Sequence, residues 1–141
     1  MTTTYCNELS GVASSPQTQA QGYYQGAGMV VFQSTVTNAS QLAGSIIVLA
    51  QPQAGLVFLG LRVVVSATLG STTLAISDSV SGNVYAAAAA YTTSSVVMPT
   101  AAQLAFGPLT AQGNLICTTA AATLPSSGSF CIHSYWASAN G

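Results

Sequence analysis

From Met29 onward the chain divides into short runs rich in β-branched and aromatic residues, punctuated by Gly, Pro, Asn and Ser, a rhythm that predicts an all-β sandwich or barrel. Eight strands are expected: Met29 to Thr37, Ser45 to Ala50, Leu56 to Thr68 with a bend at Gly60, Thr72 to Asp78, Val84 to Ala90, Ser94 to Met98, Asn114 to Thr119, and Ser129 to Trp136. In Thr73–Ser77, Leu74 and Ile76 alternate with small or polar neighbours, as a half-buried strand requires. In the last run Phe130, Ile132 and Ser134 share one face, and Cys131, His133 and Tyr135 share the other. Val63-Val64-Val65 is apolar throughout and predicts burial on both sides. Gly70 and Gly82 sit in Leu69-Gly70-Ser71 and Ser81-Gly82-Asn83, where positive φ would suit tight hairpins.

Two segments test this reading. Ala86 to Ala90 has high intrinsic helix propensity, but five residues do not sustain a helix alone, and Val84, Tyr85 and Tyr91 flank it, so it reads as a strand of small side chains open to close approach by a partner. The loop from Pro99 to Pro108 has room for one helical turn near Thr100 to Leu104. Residues 1–27 are polar and Gln-rich without periodicity and read as an extended arm, leaving 28–141 as the sandwich domain. Tyr23 and Tyr24 either anchor that arm or cap the sandwich edge.

Charge alters the functional picture more than any motif does. Soluble domains carry about 25% charged residues; this 141-residue chain carries 2%, with no lysine, and its ionisable set near neutrality is Glu8, Arg62, Asp78 and His133. Nucleic-acid binding needs on the order of 6 basic phosphate contacts, and anionic membranes attract clusters of Lys/Arg, so neither is an expected partner. The run from Ser45 to Leu69 is apolar, yet Gln51-Pro52-Gln53 and Arg62 argue against a membrane span. The N-terminus shows no basic segment followed by an apolar one, so no secretory signal is expected and the cytoplasm in which it is made is the expected compartment. A hydrophobic content of 50% excludes intrinsic disorder for the chain as a whole.

Catalytic chemistry has few ingredients. A serine triad would need His133 with Asp78 or Glu8 and shows no GxSxG, and a glycosidase would need Glu8 and Asp78 as its carboxylate pair. No enzyme, cofactor or metal site is expected. Asp78 reads as a turn-former accepting backbone N–H groups near Ser79 to Ser81. Arg62 either pairs with Asp78 or guards a sheet edge. Cys117 and Cys131 are either a cross-strand disulfide, if the last two runs form a hairpin about Leu124, or two buried small hydrophobes; Cys6 falls in the arm. His133 reads as a hydrogen-bonded wall residue.

The segment SIIVLAQPQAGLVFLGLRVVVSATLGSTTLAISDSVSGNVYAAAAAYTT, a Leu/Pro loop, and NLICTTAAATLPSSGSFCIHSYWAS together resemble small jelly-roll virion proteins of tailed bacteriophages, of the capsid-decoration or head-fibre type. The likeness rests on an apolar strand, a Pro/Ala-Gly turn, a V-x-L-x-V strand, TTLxIxD closing on Asp78, a Y-AAAA strand and two final strands joined by an uncharged loop. It implies an antiparallel jelly-roll-like β-sandwich and a non-enzymatic subunit on the capsid exterior, trimeric and docked on the major capsid protein. The outer strands lack the charges usual in such proteins, which implies that more of this surface is covered in an assembly. A glycan-binding module is the alternative, with Tyr85, Tyr91, Tyr135 and Trp136, and Tyr23 and Tyr24 of the arm, as interface or platform rings.

Overall fold

The computed structural model describes residues 3–6, 23–26 and 29–138. The predicted arm 1–27 lies largely outside them; what is described of it forms two strands, β1 (Thr3–Tyr5) and β2 (Tyr23–Gly26). The sandwich follows as β3 (Met29–Thr37), β4 (Ile46–Ala50), β5 (Leu56–Val65), β6 (Thr73–Asp78), β7 (Val84–Ala90), β8 (Ser95–Val97), the helical turn α1 (Ala101–Leu104), β9 (Leu115–Ala120) and β10 (Ser129–Ser138). The eight predicted strands appear within a few residues of their expected ends. The stretch considered as a membrane span is β4 and β5, in different sheets, and no helix among the described residues is long and apolar enough to cross a bilayer.

One sheet runs β1-β4-β9-β6-β7 and the other β2-β3-β10-β5-β8. Without the added strands β1 and β2, the chain crosses from one four-stranded sheet to the other at every connection except the β6–β7 hairpin, in the double Greek-key order of a jelly roll. Every pairing is antiparallel except β1 with β4.

This topology corrects two expectations. β9 and β10 do not form a hairpin: the chain from 121 to 128 carries it from one sheet to the other, tied down by Leu124 N–H donating to Gln41 O at 2.9 Å. Gly70 has the expected positive φ of 66°, but its turn also crosses between sheets, whereas the Gly82 turn, at φ 71°, closes a true hairpin of β6 and β7. The three valines of β5 are not buried alike: Val63 is inside, while Val64 and Val65 are half-buried because alternation continues through them.

The bend at Gly60 is a β-bulge. Tyr135 pairs with Gly60 and Trp136 with Phe58, which leaves Leu59 as the extra residue. Gly60 takes φ 156°, and a Cβ there would sit 3.6 Å from Val97 O.

The core is the pair of inner faces. β10 contributes Phe130, Ile132 and Trp136, β5 contributes Phe58, Leu61 and Val63, and the opposite sheet contributes Ile47, Leu74, Ile76, Leu115 and Cys117. Ser34 is buried among them, its hydroxyl donating to Leu49 O at 2.8 Å. Cys6 closes the same flank: its N–H donates to Val48 O at 2.8 Å, its S–H donates to Leu49 O, and its side chain is fully buried. α1 carries a capping box, Thr100 Oγ1 accepting from Gln103 N–H while the Gln103 side chain accepts from Thr100 N–H.

Trp136 has no exposed surface and fills the centre of this core. Trp136→Ala is expected to lower unfolding free energy by about 3–5 kcal/mol, measured as a shift of the denaturant midpoint at unchanged slope.

Candidate interaction surface

The β6–β7 hairpin is built around one carboxylate. Asp78 Oδ1 accepts from the backbone N–H of Val80 at 2.8 Å and of Ser81 at 2.6 Å; the Ser81 hydroxyl contacts both oxygens, and Tyr85 Oη donates to Oδ2 at 2.9 Å. Burial opposes ionisation of Asp78, but the hydrogen bonds from Ser81, Tyr85 and Val80 outweigh it and hold the carboxyl below its ordinary value. Burial, reinforced by the Asp78 charge, pushes the Tyr85 hydroxyl well above its own. The arrangement locks a turn and leaves the carboxylate no room to act on a ligand.

Arg62 is not its partner. It is exposed on β5, in the other sheet, where it stands opposite His133 of β10 and Val96 of β8. β5 is an interior strand, so Arg62 guards no edge either. Cys117 and Cys131 carry no disulfide and lie in opposite sheets. Cys117 is an inner-face residue whose thiol burial pushes up to about 12, and it packs as a small hydrophobe. Cys131 and His133 lie half-buried on the outward face of β10, with Sγ and Nε2 3.6 Å apart.

The predicted ring platform is dispersed by the fold. Tyr85 and Trp136 are buried in an aromatic cluster: Phe58 and Tyr85 centroids are 4.5 Å apart, and Trp136 meets both edge-on at 5.4 Å. Phe106, from the loop after α1, adds a fourth ring 5.7 Å from Tyr85. Tyr91 is also buried, and burial raises its hydroxyl above the ordinary value, with Cys117 adding to the shift. Tyr135 is half-buried on the outward face. Tyr23 and Tyr24 stand in register opposite Phe32 and Val31, and their side chains lie outside the described residues.

What the surface offers instead is apolar and neutral. Along β8 and the approach to α1, Val96 is 67% exposed, Met98 73% and Leu104 59%, and Leu59, the bulge residue of the neighbouring strand β5, is also exposed. Met98 and Val96 are the two most exposed large hydrophobic residues among those described, and no charged residue falls between Ser95 and Leu104. On the other sheet, the edge strand β7 exposes Ala87 to Ala90 in succession, because two register shifts against β6 break its alternation and turn both Tyr85 and Ala86 inward. Among the described residues no group of three or more His, Cys, Asp or Glu is placed to hold a metal ion.

No family model matches the sequence, and no curated protein matches it. Solved structures do. This chain shares its fold with chains of phage capsids. A chain from the capsid of Ralstonia phage GP4 superposes with a TM-score of 0.61 at 16% identity, covering 82% of this chain and 88% of that one. A chain from the cyanophage Pam1 capsid asymmetric unit gives 0.62 at 16% identity, covering 89% and 96%. The likeness spans nearly the whole of both neighbours.

The Asp78 lock carries a pH signature. Because the folded carboxyl titrates below its unfolded value, its stabilisation is fully present above the unfolded value near 4 and is lost as pH falls through the folded value. Stability measured from pH 7 down to pH 2 should fall across that window, and Asp78→Asn should be less stable at pH 7 and flatter with pH. Tyr85→Phe should cost about 1.5–3 kcal/mol at pH 7, read from the denaturant midpoint.

Proposed function

We propose that this chain is a non-enzymatic virion structural protein: a decoration or cementing subunit that docks on the major capsid protein at the capsid exterior and stabilises the head. The observation that carries the reading is the jelly roll shared over more than four-fifths of the chain with chains of two phage capsids. Composition supports it. Copies bearing a net charge of −1 do not repel one another when crowded on a lattice, and the exposed Val96, Met98 and Leu104 offer the apolar area that protein–protein contacts use. A shell protein facing packaged genome would need a basic inner surface; with Arg62 as its single Lys or Arg, this chain fits an outer position and neither nucleic acid nor membrane as partner. The division into an extended arm, 1–27, and a sandwich domain, 28–141, belongs to this reading, and self-association as a homotrimer completes the assembly unit. The glycan-binding alternative is weakened by the burial of Tyr85, Tyr91 and Trp136, which leaves Tyr135 as the one partly exposed ring of the four in the sandwich.

Light scattering on the purified chain should give a discrete trimer mass, and cosedimentation with capsid shells stripped of accessory proteins should saturate at a fixed stoichiometry. The double variant Val96→Glu, Met98→Glu should lose sedimentation with shells while its unfolding free energy stays within about 0.5 kcal/mol of the parent. A monomer that ignores shells and is retained by a neutral glycan array would reverse the order of the two readings.

A further inference from the structure

The sole Lys or Arg of the sequence, Arg62, shares a sheet with one of the three cysteines, where it stands in register with that cysteine's histidine neighbour. Cys131 lies on the outward face of β10, the middle strand of the sheet β2-β3-β10-β5-β8, near one end of that strand and in register with Thr35 on β3 and Val64 on β5. Its Sγ lies 3.6 Å from His133 Nε2, and Thr35 Oγ1 approaches the same sulfur at 3.6 Å as a hydroxyl donor. His133 stands in register with Gln33 on β3 and with Arg62 on β5, the sole Lys or Arg in the sequence. The only acid among the described residues, Asp78, is buried in the other sheet with its oxygens occupied. A thiol beside an imidazole that can take its proton, a hydroxyl that can donate to the sulfur, and a cation one strand away has the surroundings that favour thiolate chemistry. Cys6 and Cys117 share none of this and have no exposed surface.

We propose that Cys131 is a covalent modification site that exchanges with low-molecular-weight disulfides, His133 serving as its proton acceptor and Arg62 as the flanking cation. His133 Nε2 accepts the Cys131 proton. The Sγ anion then attacks one sulfur of the incoming disulfide, so that a new S–S bond forms at Cys131 as the old one breaks. The second sulfur leaves as a thiolate and takes a proton from the imidazolium or from water. Cys131 is oxidised by the disulfide, whose departing half is reduced, and no other oxidant is needed.

The test uses the purified full chain with dithiobis(nitrobenzoate) as the disulfide probe. Native protein should release one equivalent of nitrothiobenzoate, with the adduct mapped to Cys131 by peptide mass spectrometry, and denatured protein should release three, one for each cysteine in the sequence. Native Cys131 should react about tenfold faster than the same cysteine in a synthetic peptide spanning 127–138, and His133→Gln and Arg62→Gln should each slow it at least about threefold. Oxidised glutathione should give the same single adduct more slowly. The proposal is overturned if native Cys131 reacts no faster than the peptide, if the label falls on Cys6 or Cys117, or if both substitutions leave the rate unchanged. The peptide comparison needs only the wild-type chain, so it decides even where a variant fails to fold.

Discussion

The contact of Trp136 and Phe58 from one sheet with Tyr85 from the other carries the architecture, because the two sheets have little else than interlocked side chains to hold them face to face. The ring of Tyr85 is anchored at its far end by Asp78, whose remaining capacity is spent on the turn that begins β7. A single chain of contacts therefore runs from the hairpin backbone through a carboxylate and a phenol into the middle of the core. The hydroxyl keeps Tyr85 at a fixed depth, and the carboxylate fixes the hydroxyl. Packing and turn geometry are in this way one constraint, and loosening either end loosens the other.

Much of the fold was legible because strand periodicity and turn chemistry are local. β3 and β7 fall at the residues expected for them, and the helical turn expected near Thr100 to Leu104 is α1. What periodicity does not encode is which sheet a strand joins. That is why a hairpin of β9 and β10, a bridge between Cys117 and Cys131, and a pair of Arg62 with Asp78 all read as reasonable and all fail once β6 and β9 fall in one sheet and β5 and β10 in the other. The rings show a subtler gap. Carrying the alternation of Phe130, Ile132 and Ser134 one step further places Trp136 on the buried face, so its role was within reach of the sequence. Tyr85 was not, because the two register shifts in β7 turn consecutive residues inward and no pattern of period two announces them. Cys6 was likewise invisible: its burial depends on a parallel strand pairing across more than forty residues of sequence.

The scarcity of charge shapes both surface and core. With so few ionic groups, several buried polar side chains are satisfied by backbone carbonyls, Ser34 and Cys6 on Leu49 O, Thr119 on Leu42 O and Thr72 on Thr123 O, while Ser134 Oγ and Trp136 Nε1 are buried without a hydrogen-bond partner. The outward faces follow the same rule, with threonine, serine, alanine and a few aliphatic side chains where most soluble sandwiches carry lysine and glutamate. Such a surface gives a partner little electrostatic guidance. Recognition must depend on shape and apolar area, which favours permanent, closely fitted contacts over transient ones.

The position of β10 has a consequence for how the protein is made. It is the interior strand that joins β3 to β5, and it is the last of the ten to be synthesised. Until it arrives, β3 and β5 each present an unpaired edge toward the gap it will fill, and the aromatic cluster lacks its tryptophan. Before that pairing forms, the described strands are an open set with few charges to keep copies apart. Such a chain gains from rapid completion of the sheet or from a chaperone holding the β3 edge.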